Sequence, residues 1–186
     1  MTDSGFVQTY TGRAFYPLAP RPGDVCIRDI AHHLSLRARW GGATRRLYSV
    51  AQHSVLVAEH LPEHLRIYGL LHDAAEAYLP DIAAPIKDAF VTRAGRSFER
   101  VEEDVLGAIF QALEIPDVAL CWSNEVLRAD RRAMATEKRD LLRRPLRGWS
   151  AGAKPFTMFL DAWPLNYAED QFMAAFDALY QQRGTQ

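Results

Sequence analysis

Two imidazoles and two carboxylates stand out in the sequence: His53 in VAQHSV, the adjacent pair His72 and Asp73 in LLHDAAEAY, and Asp130 in LRADRRAM. That set is sufficient to coordinate one divalent metal ion. Each residue lies in an apolar, helix-forming stretch, where burying a polar group without a partner costs roughly 2–7 kcal/mol. A shared ion satisfies all four at once. Neighbouring residues on a helix project about 100° apart, so His72 and Asp73 can grip an ion beside their helix but cannot enclose it. His53, on the preceding helix, and Asp130, on a later one, complete the shell if the helices pack as a bundle. Glu76 stands four residues after His72 and three after Asp73, on the same predicted helical face, and is the candidate for proton transfer. An ion held this way keeps open positions, polarises a phosphoryl oxygen and, in the case of zinc, lowers the pKa of a bound water to around 7. Phosphoester hydrolysis is the chemistry this set suits.

The elements that must position these groups are mostly helical. Residues 6–18 are aromatic and β-branched around Thr11-Gly12 and predict a short hairpin. Pro17, Pro20 and Pro22 form a stiff connector, after which Asp29 is expected to cap a helix through IAHHLSLRAR that ends at Trp40-Gly41-Gly42. Ser49 caps a second helix, Tyr48 to Leu61, carrying His53. A third runs from Glu63 to Tyr78 and carries His72 and Asp73; Leu79-Pro80 breaks it. A short segment, DIAAPIKDAF, begins at Asp81. Helices follow over 97–113, with Glu102, Glu103 and Asp104 on the expected solvent side, and over 123–143. Asn166 and Glu169 form a capping-box pattern that opens a last amphipathic helix through Phe172, Phe176, Leu179 and Tyr180. Strand–helix alternation is missing, so the expected class is all-α, a helical bundle with a short N-terminal β-hairpin.

The 186 residues, 48% hydrophobic and 24% charged, fit one domain spanning 1–186. The net charge of −1 leaves no global basic field to attract nucleic acid or an anionic membrane, so phosphate recognition must be local. Arg45 and Arg46, ahead of His53, offer one such local patch. Cys26 and Cys121 are widely separated and do not suggest a disulfide framework, which points to a reducing cytoplasm. No leader-like or membrane-length apolar segment is present in the sequence. His60 lies two turns from His53, too far to share its ion. His64 sits at a helix start, and His32 and His33 fall in the first helix, where one of them could line a pocket.

The arrangement His53, His72-Asp73, Asp130 resembles the signature of the HD-domain metal-dependent phosphohydrolases, an all-helical superfamily. Arg39-Trp40, HDAAEAYLPDIAAPIK from His72 to Lys87 and the late ADRRA are similar to the small bacterial 5'-deoxynucleotidases and the phage HD-type dATP triphosphohydrolases, over roughly residues 28–140. The resemblance implies that His53, His72, Asp73 and Asp130 bind one divalent ion (Mn, Co, Zn, Fe, Ni or Mg), with any second ion carried by the substrate phosphates. It assigns Glu76 to the attacking water, Arg39 and Lys87 to phosphate, Trp40 to the sugar or base and Asp81 to a sugar hydroxyl, with Arg39 and Asp81 counted, like Glu76, among the catalytic groups. The implied substrate is a deoxynucleoside mono- or triphosphate, and the implied assembly a homodimer or larger, without a nucleic-acid polymer or membrane as partner. The stringent-response hydrolases carry an acidic pair after the HD doublet. Here Ala77 follows Glu76, which disfavours a signalling-nucleotide substrate. The rival from another class is a metal-stabilised nucleotide-binding protein without turnover.

Overall fold

The computed structural model describes residues 5–183 except 81, 83, 88, 90, 91, 93 and 94. Its architecture is predominantly α-helical with a short N-terminal hairpin, as the sequence pattern predicts. Strands β1 (Val7–Gln8) and β2 (Ala14–Phe15) pair antiparallel. The turn between them places Gly12 at φ 84°, in the left-handed region that glycine enters without penalty.

Helix α1 (Ile27–Leu36) starts at Cys26, whose side chain makes no capping bond, and not at Asp29. Asp29 is instead buried in the first turn, where its two carboxylate oxygens accept hydrogen bonds from the Thr11 amide at 2.7 Å and the Thr11 hydroxyl at 2.9 Å. A residue that looked like a cap therefore ties the hairpin to the bundle. The helix also ends earlier than its apolar pattern suggests, because Arg37 turns extended and Ala38 bridges to Ser49.

Helix α2 (Val50–Glu59) is capped by Ser49, which accepts from the Gln52 amide. Val50 through Ala58 are all buried, so α2 is apolar on every side and forms the centre of the bundle. The predicted helix over 63–78 is broken into three pieces. A 3-10 turn, Glu63–Leu65, leads into α3 (Arg66–Leu71), Asp73 leaves the helical conformation, and a second 3-10 turn covers Ala74–Ala77. The His72 ring competes for the backbone at this point, donating from Nδ1 to the Gly69 carbonyl at 2.8 Å.

Gly69 lets α3 approach α2 closely. A Cβ built there meets Leu61 Cδ1 at 2.3 Å, with the Ala58 Cα and Val57 Cγ1 at 3.4 Å. Gly69→Val is expected to cost about 1–3 kcal/mol of stability by overpacking, measured by urea unfolding. An unchanged midpoint would show that α2 and α3 tolerate separation.

Helices α4 (Ala84–Lys87) and α5 (Phe98–Ala112) follow, the latter capped by Ser97, and α5 packs on the 74–77 turn. Helix α6 (Asn124–Asp140), capped by Ser123, lies against α2 and stops three residues short of the predicted boundary, where the buried Asp140 carboxylate takes the Leu160 amide. Helix α7 (Leu165–Arg183) covers α1, α2 and α3 through Ala168, Phe172 and Phe176. It begins before Asn166, so the expected capping box does not form there, and Glu169 instead holds His32 Nδ1 at 3.0 Å. No helix among the described residues is long and apolar enough to cross a membrane.

Candidate metal centre

The central helix presents His53 with its ring fully buried. The break after α3 turns His72 and Asp73 toward it, and α6 brings Asp130 from the far side. His53 Nε2 stands 3.4 Å from His72 Nε2, 3.6 Å from Asp73 Oδ2 and 3.2 Å from Asp130 Oδ1, while His72 Nε2 lies 3.3 Å from Asp73 Oδ2. The ligand atoms of His53, His72 and Asp73 all fall within 4.8 Å of one another. Atoms held about 2.1 Å from one ion stand roughly 3.0–3.4 Å apart, close to the spacing seen. The helical-face argument for the doublet fails, since Asp73 is not in a helix, yet the convergence it was meant to explain is present.

Hydrogen bonding sets the direction of both imidazoles. His72 Nδ1 faces a carbonyl, which can only accept, so that nitrogen carries the proton and Nε2 points its lone pair into the cluster. His53 Nδ1 donates to Glu137 Oε1 at 2.6 Å. Carboxylate–imidazole pairs of this kind fix ring orientation and make the opposite nitrogen a better ligand. The donor set therefore fits a divalent cation.

Glu137 was not recognisable as a site residue within the charged run TEKRD, although it lies seven positions after Asp130 and so on the same face of α6 two turns on. Its side chain is fully buried. Oε2 accepts the Trp40 indole N–H at 2.8 Å and lies 3.5 Å from Arg39 Nη2, and Arg39 Nη1 reaches Asp73 Oδ2 at 3.2 Å. Burial, the strongest influence, pushes the Glu137 carboxyl up, but Arg39 and His53 outweigh it and hold its pKa down at about 2. For His53, burial and then Arg39 act downward, and the Glu137 and Asp130 carboxylates overcome both to raise the imidazole to about 9 in the metal-free protein. Burial likewise works against ionised Asp130, yet its bond to His53 and the nearby positive charges keep it well below the usual carboxylate range.

A cleft of about 340 Å³ opens beside the cluster and is lined by His72, Asp73, Glu76 and Lys87. Glu99, Glu102 and Glu103 of α5 line it as well, so part of the acidic face expected to point to solvent forms a cleft wall. Lys87 pairs with Glu102 and lies 5.7 Å from the Phe98 ring centroid. Trp40 braces Glu137 with its indole, and its ring lies 5.6 Å from that of Trp149. Asp81 lies outside the described residues. His32 and His33 do not line this cleft: the His32 ring stacks on Tyr10 at 3.6 Å, and His33 Nδ1 holds the Ala77 carbonyl at 2.7 Å. His60 stacks on Phe156 at 3.7 Å.

Fold and cluster together define a mostly helical protein with a His–His–Asp group able to hold a metal ion. The chain belongs to the family of the uncharacterized protein YfdR of Escherichia coli (strain K12), with which it shares 38% identity over 136 residues, 73% of this chain and 72% of that protein. It is also 37% identical over 117 residues to the uncharacterized protein RCAP_rcc00048 of Rhodobacter capsulatus, covering 58% of this chain and 58% of that one. No protein-family model matches the sequence.

Proposed function

We propose that this protein is a metal-dependent phosphohydrolase that removes phosphate from a deoxynucleotide, with His53, His72, Asp73 and Asp130 holding one divalent ion. The observation that carries the reading is the meeting of two Nε2 atoms, each on a ring whose Nδ1 is already committed, with an aspartate oxygen. When bound, the ion supplies Lewis acidity toward a phosphoryl oxygen and an acidified water. The side chains do the rest. Glu76, in the cleft wall, takes the proton as a water oxygen bonds to phosphorus. The P–O ester bond then breaks, and the same proton passes to the departing nucleoside oxygen. Arg39 and Lys87 offset charge on the phosphoryl oxygens. The carboxylates of the cleft repel a bare phosphate, so the substrate enters with its own counter-cation. The deoxy preference and the roles of Trp40 and Asp81 rest on the family resemblance.

One observation favours a second reading, a nucleotide-binding protein without turnover: Arg39 is already engaged by Asp73 and Glu137. Phosphate and pyrophosphate release from ribo- and deoxynucleoside mono- and triphosphates decides between them, using chelator-stripped protein resupplied with Mn²⁺, Co²⁺, Zn²⁺ or Mg²⁺. Metal-dependent release, deoxy-selective and reduced more than about a hundredfold in Asp73→Ala, beyond what loss of a supporting partner does, is expected. Metal uptake with no release from any nucleotide selects the binding-protein reading.

A further inference from the structure

A second concave site lies between the C-terminal half of α6 and the chain that follows it. This crease of about 550 Å³ is lined by Arg45, Lys138, Arg139, Arg143 and Arg144, and no Asp or Glu appears among its described lining residues. Trp149, 40% exposed, forms an apolar wall. Three of the cations have partners within the fold. Arg139 is gripped by the Asp140 carboxylate, Arg45 bonds the Asp140 carbonyl, and Lys138 lies 4.1 Å from the Trp149 ring centroid. Arg143 and Arg144 are exposed and make no ion pair among the described residues.

Arg143 and Arg144 stand beside three further cations in one hollow, which gives the crease a positive potential that attracts an anion, and a net charge of −1 makes that concentration local. Its volume falls in the range of small-molecule sites. Forked guanidinium groups match phosphate oxygens, and the indole, with Lys138 over its ring and Trp40 packed against it, stays 40% exposed as an apolar border for the rest of a nucleotide. Trp149 is the one aromatic residue in the described lining, whereas single-stranded nucleic acid calls for a series of stacking platforms.

We propose that the crease binds a nucleoside polyphosphate at a site distinct from the metal cleft. The two sites share a physical connection. Trp149 packs on Trp40, Trp40 donates to Glu137, and Glu137 holds His53. The crease and the cluster thus adjoin one line of contacts that passes through the Glu137 carboxylate, and whatever effect the nucleotide has on the ion's affinity the ion must have equally on the nucleotide's. The proposal does not depend on hydrolysis.

The test is a titration of the whole chain, chelator-treated, with a methylene-bridged nucleoside triphosphate at fixed ionic strength, followed by calorimetry and tryptophan fluorescence. Saturable binding is expected in the wild type and in Lys87→Ala, and at least tenfold weaker binding in Arg143→Ala/Arg144→Ala. With nucleotide saturating, and free Mn²⁺ corrected for chelation by the triphosphate, Mn²⁺ affinity of the wild type should shift and that of Arg143→Ala/Arg144→Ala should not. Both arginines are exposed, and far-UV circular dichroism confirms that the double variant is folded. The proposal is overturned by an absence of saturable binding, by unchanged affinity in the double variant, or by loss of binding in Lys87→Ala, which removes the cation lining the metal cleft and would put the ligand there. Tenfold tighter binding of a single-stranded oligonucleotide than of the triphosphate overturns it in favour of a polymer.

Discussion

Replacing Glu137 with leucine should lower the stability of the folded chain by about 3–5 kcal/mol, the range seen when one partner of a buried charge pair is removed. The expectation follows from what the carboxylate holds. The His53 Nδ1–H and the Trp40 indole N–H both lose their acceptor, and the Arg39 guanidinium loses one of its carboxylate partners, keeping Asp73. Leucine fills much of the volume, so the loss reports polar groups left unsatisfied and not a cavity. Glu137→Gln separates charge from shape. Its amide nitrogen cannot accept from either donor, so one of the two hydrogen bonds is lost at about 1–3 kcal/mol. In either variant His53 loses the carboxylate charge that makes Nε2 a strong ligand, and divalent-ion affinity should drop about 10–100-fold. Denaturant unfolding and calorimetric metal titration read these effects separately. A leucine variant within 0.5 kcal/mol of wild type, roughly the scatter of neutral surface changes, would mean that the four side chains do not support one another.

The second large effect is on pH. In the metal-free protein the His53 pKa is raised to about 9 from an ordinary 6.5, so the folded state binds the extra proton between those values. That stabilisation is complete below about 6.5 and is lost as pH rises through 9. Glu137 has the opposite sign. Lowered to about 2 from 4.5, it contributes stability above 4.5 that is lost as pH falls through 2, and depressed Asp130 acts in the same direction. The metal-free chain is therefore expected to be most stable between about pH 4.5 and 6.5. A divalent ion must displace the proton from His53 Nε2, so its affinity should climb about tenfold per pH unit and level off near 9. Calorimetry in buffers of different ionisation enthalpy should detect close to one proton released per ion at neutral pH. Constant affinity from pH 6 to 9 would show that the ion displaces no proton in that range and would overturn the raised His53 pKa.

The hairpin, the Ser49 cap, the helix that carries His53 and the residues that meet at the cluster were legible because each depends on local pattern. Turn chemistry set Gly12, a side-chain oxygen set Ser49, and four chelating residues in apolar text marked the site. What escaped depended on tertiary contacts. Ala74–Ala77 is helix-forming text, and nothing local announces that the His72 ring takes the Gly69 carbonyl and that α5 packs against the break. Asp29 and Asn166 satisfy the capping pattern, yet partners distant in sequence, Thr11 for Asp29 and His32 for Glu169, decide what those segments do. Glu137 stands beside Lys138 and Arg139 in a charged run, and nothing local marks it as buried. Only its seven-residue offset from Asp130 pointed inward.

The backbone at Trp40 has φ 59° and that at Gly41 φ 55°. Glycine enters this region freely, whereas a β-carbon-bearing residue there gives up about 1–2 kcal/mol. The indole is held by Glu137 on one side and Trp149 on the other, and the Arg39 amide donates to the Tyr48 carbonyl and the Ala43 amide to the Trp40 carbonyl, so the segment Arg39–Gly42 behaves as a cocked spring with several catches, one of them the hydrogen bond to the partner of His53. Whatever loosens Glu137 removes that catch, and the strain at Trp40 then adds to the loss of the contact itself.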